Sequence, residues 1–237
     1  MQDVGSTNTV AMEAARAGDP GNLWVTATRQ LEGRGRRGRA WASEPGNLYS
    51  SLLLMEPAPL SVLGQLPLVV AVGLQTALAG LPALDRDAVR IKWPNDILLH
   101  GAKCVGILIE SERLATGQQA VVIGTGINVA LKPEGQPYKV ATLRECGFSG
   151  TVEDVFHAVA LGINEALALW RRGENFGEVR RLWLDRSAGL GQMITVNLPD
   201  RSVSGRFVDL DLQGRLLLEG ANGALEVFSA GDVFLLG

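Results

Sequence analysis

Apolar residues recur along most of the chain with two different periods. Short apolar runs bounded by glycine, proline or polar residues predict β-strands over 23–28, 48–55, 89–93, 97–99, 104–110 and 120–127. Helical spacing predicts helices from Ser6 or Thr7 to Ala17, over 66–81, from Thr151 or Glu153 to Trp170, and over 176–186. We therefore expect helices and strands to share one core up to residue 188.

The pattern changes at about residue 189. Short strands predicted over 193–198, 202–210, 215–218 and 225–228 are separated by the turn pairs Pro199-Asp200, Gln213-Gly214 and Asn222-Gly223. Closely spaced short strands of this kind are typical of a small SH3-like β-barrel. We therefore predict two domains, residues 1–188 and residues 189–237.

The overall composition is that of a globular protein. Hydrophobic residues make up 46% of the chain and charged residues 20%, which allows a sizeable core. The net charge of −3 argues against a protein that binds polyanions over its whole surface. The most apolar segment, residues 66–81, contains Pro67 and Gly73 and is too short to span a bilayer. Because the N-terminus also lacks a leader-like run, we expect a cytoplasmic protein that binds no membrane.

Residues that commonly bind metals or act as bases are scarce. Cys104 and Cys146 lack the spacing of a metal site, and the two histidines, His100 and His157, are far apart in the sequence. A histidine metal site and a Ser/His catalytic triad are therefore not expected, and we assign no metal ligands.

The most unusual segment is a basic loop. Residues 33–39 read Gly-Arg-Gly-Arg-Arg-Gly-Arg and are followed by Trp41. The segment has nothing apolar to bury, but its backbone N–H groups and guanidiniums can wrap an anion. A plain solvated loop and an RNA contact are the alternatives. The single copy of the run and the acidic chain around it argue against RNA.

A second polar motif contains two of the four lysines. Lys92-Trp93-Pro94-Asn95-Asp96 ends one predicted strand, and Lys103 begins the return strand of the next hairpin. A lysine at the start of a strand has its ammonium group held at a fixed point by the sheet. The alternative is a hairpin with exposed lysines. That alternative does not explain why Trp-Pro-Asn-Asp stands beside Lys92.

In order and spacing, these motifs resemble the catalytic domain of biotin protein ligases. The matching segments are the loop 33–39 with Trp41, Asn47-Leu48-Tyr49, Lys92–Asp96, Lys103 with Gly106-Ile107-Leu108, and Gly124–Val129. Ser6-Thr7-Asn8 resembles the N-terminal biotin-contacting motif of the family. Residues around Gly205, Gly214 and Gly231-Asp232-Val233 resemble its C-terminal barrel. The resemblance covers almost the whole chain and implies an α+β fold, with a mixed-sheet catalytic domain of the biotin/lipoate ligase type followed by an SH3-like barrel.

The resemblance also implies an activity in two steps. Biotin and ATP would form biotinyl-5′-AMP, and the biotinyl group would then pass to one lysine of the biotin carboxyl carrier domain of a carboxylase such as acetyl-CoA carboxylase. Magnesium would accompany the nucleotide. Because the chain begins almost at Ser6-Thr7-Asn8, no DNA-binding repressor domain is expected. Relatives of this kind include monomers and sheet-edge homodimers.

Site residues follow from the same resemblance. Lys103 and Arg36 would be catalytic. The biotin site would contain Ser6, Thr7, Asn8, Gln30, Gly33, Arg34, Gly35, Lys103, Gly106 and Gly124. The ATP or adenylate site would contain Arg34, Arg36, Arg37, Arg39, Trp41, Lys92, Asn95, Asp96 and Asn128, with Asp96 as a candidate magnesium ligand.

The implied chemistry suits these residue types. The first step brings a carboxylate against a polyphosphate, so fixed cations must offset the repulsion between two anions. The ureido head of biotin needs paired donors and acceptors in a dry pocket. We expect the arginine loop to be mobile without ligand and to order around the adenylate.

Three positions depart from the family pattern. Gly5 replaces an acidic residue, Glu32 replaces a small residue and would neutralise part of the arginine field, and Leu236 replaces a nucleotide-contacting arginine. A lipoate or octanoate ligase of the same fold is the alternative enzyme, although the arginine loop and the Lys-Trp-Pro-Asn-Asp motif favour biotin.

Overall fold

The computed structural model describes residues 1–229 and 231–235. Its helices are α1 (Thr7–Arg16), α2 (Leu66–Ala79), α3 (Val152–Trp170) and α4 (Phe176–Asp185). Its strands are β1 (Asp3–Val4), β2 (Leu23–Ala27), β3 (Arg29–Gln30), β4 (Leu48–Met55), β5 (Val89–Lys92), β6 (Asp96–Leu99), β7 (Ala102–Arg113), β8 (Gln119–Ile127), β9 (Met193–Asn197), β10 (Ser202–Leu210), β11 (Leu216–Glu219), β12 (Leu225–Phe228) and β13 (Asp232–Leu235). The expected mixture of helices and sheets is confirmed.

A six-stranded sheet forms the frame of the N-terminal part. Its order is β2-β4-β8-β7-β6-β5, and every neighbouring pair is antiparallel. Parallel pairing enters through β1 with β3 and through bridges such as Lys103 with Val140. An irregularity between Ile97 and Leu98 shifts the register of β6 against β7 next to Lys103. Such a β-bulge changes the direction of nearby side chains.

Helices α2 and α3 cover one face of this sheet. Their close approach depends on Gly73 and Gly162, because a Cβ on Gly73 would lie 2.5 Å from the carbonyl oxygen of Gly162. The segment Leu60–Ala79 is apolar enough to span a membrane, with a mean hydropathy of 1.7, but its side chains are mostly buried inside the protein. It is therefore a core segment, since a helix that is apolar all round is buried on all sides.

Helix α1 packs separately, through a small cluster that includes Ala11, Ala15, Leu53 and Val122. Ser6 occupies the N-cap position as predicted, but its hydroxyl makes no capping hydrogen bond. Helix α3, in contrast, starts with a complete capping box formed by Thr151 and Asp154. The N-terminus of α1 therefore keeps a buried serine hydroxyl available for other contacts.

Strands β9 to β13 form a second, antiparallel sheet in the order β12-β11-β10-β9-β13. It packs against the first part through the Trp93 indole N–H, which donates to the carbonyl of Gly214 at 3.2 Å, and through the Trp183 and Phe207 rings. Strand β13 was not predicted from the sequence. It pairs with β9, which brings Asp232 to the arginine loop.

Candidate active site

One cleft of about 320 Å³ collects most of the predicted site residues. Of the predicted residues, its walls contain Ser6, Thr7, Asn8, Gln30, Arg34, Gly35, Arg36, Arg39, Trp41, Lys92, Asn95, Asp96, Lys103, Gly106 and Gly124. Three predicted residues, Gly33, Arg37 and Asn128, lie outside this wall. Asn128 instead lines a smaller cavity of about 20 Å³ that shares Trp41 and Lys103 with the cleft.

A buried polar network forms one end of the cleft. Ser51 lies within hydrogen-bond distance of Thr7 Oγ1 at 2.8 Å and Asn8 Oδ1 at 2.6 Å. The side-chain oxygen of Gln30 accepts from the backbone N–H of Thr7 at 2.8 Å and from its hydroxyl at 3.0 Å. The amide nitrogen of Asn8 donates to Glu110 at 2.7 Å. Because each member has a protein partner, the network is held rigidly before any ligand arrives.

The network still offers polar groups to a ligand. Ser6 is almost fully buried and lines the cleft, and its hydroxyl does not cap α1. Both N–H groups of Asn8 are used, but among the described residues its oxygen accepts only from Ser51, which leaves it a second lone pair. This end of the cleft can therefore receive a small neutral head group that both donates and accepts hydrogen bonds.

Glycines let the walls approach this pocket closely. A Cβ on Gly124 would lie 2.9 Å from Asn8 Cγ, and a Cβ on Gly126 would lie 2.5 Å from Trp41 Nε1. A Cβ on Gly106 would meet the same indole at 2.8 Å. Because Gly106 and Gly126 have no side chains, the Trp41 indole packs directly against the strands at these two positions. Gly33 acts beside the cleft, since a Cβ there would collide with Ser43 and with the carbonyl of Trp41.

Two lysines share one carboxylate in the middle of the cleft. Asp96 accepts from Lys103 Nζ at 2.7 Å and pairs with Lys92 Nζ at 3.3 Å. The ammonium of Lys103 also lies 5.4 Å from the ring centre of Trp41 and 5.6 Å from that of Tyr138. All three charged side chains are less than a quarter exposed. The cluster carries a net positive charge in a partly dry site, where electrostatic contacts are strong.

The arginine loop closes the other side of the cleft. Arg36 donates to Asn95 Oδ1 at 2.5 Å and to the carbonyl of Gly231 at 2.8 Å. Asn95 is itself tied to β7 by a 2.6 Å hydrogen bond to the carbonyl of Ile107. Burial lowers the pKa of Arg36, although the charges of Asp232 and Asp96 act in the opposite direction. Arg36 is thus a desolvated cation on a rigid support.

Three arginines converge on Asp232. Arg36 lies 3.5 Å from its carboxylate and Arg37 3.3 Å, and Arg39 makes a closer ion pair. Burial raises the pKa of Asp232, but its hydrogen bond with Arg39 and the three positive charges outweigh burial and hold that pKa below the ordinary value. One carboxylate cannot neutralise three guanidiniums, so the loop retains positive charge for an anion.

Several site residues were missed from the sequence. Asp232 was noted only as part of the barrel motif, and Tyr138, Glu110 and Ser51 carried no signal. Among the described residues Glu32 forms no ion pair with an arginine, so its expected neutralising effect on the arginine field stays a prediction. The carboxylates that face the arginine loop are Glu110, at 3.5 Å from Arg34, and Asp232. Leu236 lies outside the described residues.

Comparisons with known proteins agree along the chain. Residues 2–128 match the model of the biotin/lipoate A/B protein ligase family, and residues 189–236 match that of the biotin protein ligase C-terminal domain. A biotin–[acetyl-CoA-carboxylase] ligase of Paracoccus denitrificans is 36% identical and covers 98% of both chains. A Mycobacterium tuberculosis relative of the same name is 32% identical, over 97% of this chain and 85% of its own. The solved biotin protein ligase of Aquifex aeolicus in complex with biotin and ATP superposes with a TM-score of 0.82, at 28% identity and over 99% of this chain and 97% of its own.

Proposed function

Because this chain belongs to the biotin protein ligase family, we propose that its cleft joins biotin to ATP and passes the biotinyl group to a carrier-domain lysine. The observation that carries the proposal is the meeting of Lys103, Arg36 and the polar end of α1 in one cleft. A site for a neutral head group therefore lies beside a site for two anions.

We assign the first step to the cationic half of the cleft. An oxygen of the biotin carboxylate forms a bond to the α-phosphorus of ATP, and the bond from that phosphorus to the departing pyrophosphate breaks. Lys103 offsets the charge where the two anions meet, and Arg36 stabilises the phosphoryl oxygens. In the second step the lysine amine attacks the carbonyl carbon, loses a proton and displaces AMP.

Biotin would lie along the floor of the cleft. Its ureido head fits the end that contains Ser6, Thr7, Asn8 and Gln30, where donors and acceptors are already positioned. Its carboxylate would then point towards Lys103. Gly124 leaves room for the Asn8 side chain at the head-group end, and Gly106 leaves room for Trp41 beside the lysine.

Magnesium would arrive with the nucleotide. Within residues 1–229 and 231–235, no group of three or more Asp, Glu, His or Cys side chains could hold a metal ion. Both oxygens of Asp96 are engaged by lysines, which makes it a poor ligand on its own. Mg²⁺ commonly keeps several waters and binds mainly through substrate phosphates, which suits this arrangement. ATP would thus carry the ion into the cleft.

The acceptor and the setting are further parts of the proposal. A biotin carboxyl carrier domain fits the acceptor role, since relatives of this chain are named for acetyl-CoA carboxylase. Strand β2 lies at one edge of the six-stranded sheet, and this edge is where a homodimer would form. We place the enzyme in the cytoplasm, where carboxylases and ATP would be available.

Biotin is favoured over lipoate by the second family match, because residues 189–236 match a domain named for biotin ligases alone. Thermal unfolding tests this choice directly. Biotin should raise the Tm and lipoate should leave it unchanged, since only the ligand that binds the native state stabilises it. Stabilisation by lipoate with no effect of biotin would overturn the assignment.

The activity itself is tested by mixing the protein with biotin, ATP, Mg²⁺ and a carboxyl carrier domain. Mass spectrometry should detect one biotinyl group on the carrier lysine. A carrier in which that lysine is replaced by arginine is the control. Formation of ADP, or labelling of the control carrier at the same rate, would contradict the proposal.

Substituting Gly124 should weaken biotin binding. In Gly124→Ala the new methyl group meets Asn8 in the polar pocket, and overpacking of this kind costs about 1–3 kcal/mol. Calorimetric titration with biotin should therefore give a higher Kd. Gly64→Ala is the matched control, because a Cβ there meets nothing within 4 Å. Equal affinities in the two variants would remove Gly124 from the biotin site.

Ligands should protect the arginine loop from trypsin. Without them, the loop is held by the hydrogen bonds of Arg36 to Asn95 and Gly231 and by partly exposed ion pairs with Asp232, each of which contributes only about 0–1 kcal/mol. Biotin and ATP together should add contacts to the loop. Cleavage after its arginines, Arg34, Arg36, Arg37 and Arg39, should therefore be slower. Peptide mapping at intervals measures the rate, with cleavage after the exposed Arg172 as an internal reference. Equal rates with and without ligands would show that the loop does not close on the adenylate.

A further inference from the structure

Tyr138 lies beside the reacting centre in a segment that the resemblance did not assign. It follows β8 in an exposed stretch and lines both the main cleft and the smaller cavity behind Trp41. The residue is 37% exposed, and the ring centre lies 5.6 Å from Lys103 Nζ. A lysine ammonium at this distance over an aromatic face is attracted to the ring.

The backbone fixes Tyr138 relative to Lys103. The N–H of Lys103 donates to the carbonyl of Lys139 at 2.9 Å, and the N–H of Ala141 donates to the carbonyl of Lys103 at 3.0 Å. These two bonds form a short parallel bridge between β7 and the segment that follows Tyr138. The ring is therefore anchored next to the lysine although its own segment is exposed.

Trp41 supplies a second aromatic face to the same ammonium, at 5.4 Å. Its position is set by its close packing against Gly106 and Gly126. Asp96 takes one N–H of Lys103 at 2.7 Å. Two aromatic faces shield the ammonium from water without offering it another strong acceptor, so its remaining donors stay available to an incoming anion.

We propose that Tyr138 is a positioning residue that holds the Lys103 ammonium, together with Trp41, where the biotin carboxylate meets ATP. This inference rests on the proposed role of Lys103 in adenylation. The ring, and not the hydroxyl, carries the effect. Burial, followed by the charge of Asp96, raises the pKa of Tyr138, so the phenol stays neutral and the ring keeps an uncharged face.

The test measures the single-turnover rate of pyrophosphate release with biotin and ATP, without acceptor. Tyr138→Leu should lower the rate at saturating substrates about tenfold, equal to about 1.4 kcal/mol and within the range of a shielded cation–π contact. The KM values for biotin and ATP should not change. Tyr138→Phe should react like the unmodified protein. Glu134→Gln, in the same exposed stretch but outside both cavities, is the control for disturbance of the segment.

A double variant separates positioning from other roles. In a Lys103→Ala background, Tyr138→Leu should cause no further loss, because residues that act through one another are not additive. A higher KM for ATP with an unchanged rate would mean that the ring binds nucleotide, and would overturn the inference. A Tyr138→Phe variant as slow as Tyr138→Leu, or full additivity with Lys103→Ala, would also overturn it. If Lys103→Ala itself leaves the rate unchanged, the role of Lys103 in the proposed function is wrong instead.

Discussion

Replacing Lys103 by alanine should slow the formation of biotinyl-adenylate by about 30- to 1000-fold, equal to about 2–4 kcal/mol. Lys103 contacts Asp96 at 2.7 Å and also lies within cation–π range of two aromatic rings. Among the described residues, no other lysine of the cleft makes both kinds of contact. These contacts hold its ammonium group at a fixed point, so the group need not move when the reaction occurs. Loss of that charge removes the cation at the point where the two anions meet.

Rapid-quench measurement of pyrophosphate release at saturating biotin and ATP checks this expectation. Lys132→Ala is the matched control, since Lys132 pairs with Glu145 on the surface and lines neither cavity. Asp96 retains Lys92 in the Lys103 variant, so the substitution leaves no carboxylate unpaired. A normal adenylation rate in Lys103→Ala would exclude the electrostatic role.

In Arg36→Ala, biotinyl-adenylate should dissociate from the protein before the acceptor lysine reacts with it. Arg36 is supported by Asn95 and by the carbonyl of Gly231, and its guanidinium is largely desolvated. Hydrogen bonds to charged groups contribute about 1.5–3 kcal/mol, so the dissociation rate of biotinyl-adenylate should rise by about ten- to a hundredfold. The affinity for biotin alone should not change, because the polar end of the cleft contains none of these contacts.

Trapping of released biotinyl-adenylate by hydroxylamine, without acceptor, measures this loss. Arg37→Ala is the matched control: Arg37 shares the contact with Asp232 but lies outside the cleft wall. Arg37→Ala should release much less biotinyl-adenylate than Arg36→Ala. Equal leakage from both variants would mean that the loop acts only as a mobile positive charge, and the assigned position of Arg36 would be wrong.

Much of the fold could be predicted from periodicity. Strands β4, β10 and β12 and helix α3 have strong local patterns, and the buried stripe Val155, Val159, Ile163, Ala166 and Trp170 is found as expected. Strand β13, which was not recognised either, is as long as β12. Strands β1 and β3 escaped prediction because each is only two residues long. Elements of that length depend on their partners and not on their own sequence.

The site could be predicted only in part, and the missing part has a physical cause. The arginine loop and Lys103 stand out by composition, whereas their partners are distant in the sequence. Asp232 reaches Arg36 only because β13 pairs with β9, and Tyr138 reaches Lys103 only through a backbone bridge. The bulge in β7 that affects the direction of Lys103 also has no local signal. Tertiary packing decides all three.

We expect this cleft to direct the biotin carboxylate onto the α-phosphorus of ATP. Biotin labelled with heavy oxygen in both carboxylate positions tests it most directly, in a complete reaction with ATP, Mg²⁺ and the carrier domain. Each AMP released should carry one labelled oxygen from biotin, because that oxygen bridges carbon and phosphorus in the intermediate. Unlabelled AMP, or label found in inorganic phosphate with ADP as the product, would contradict it.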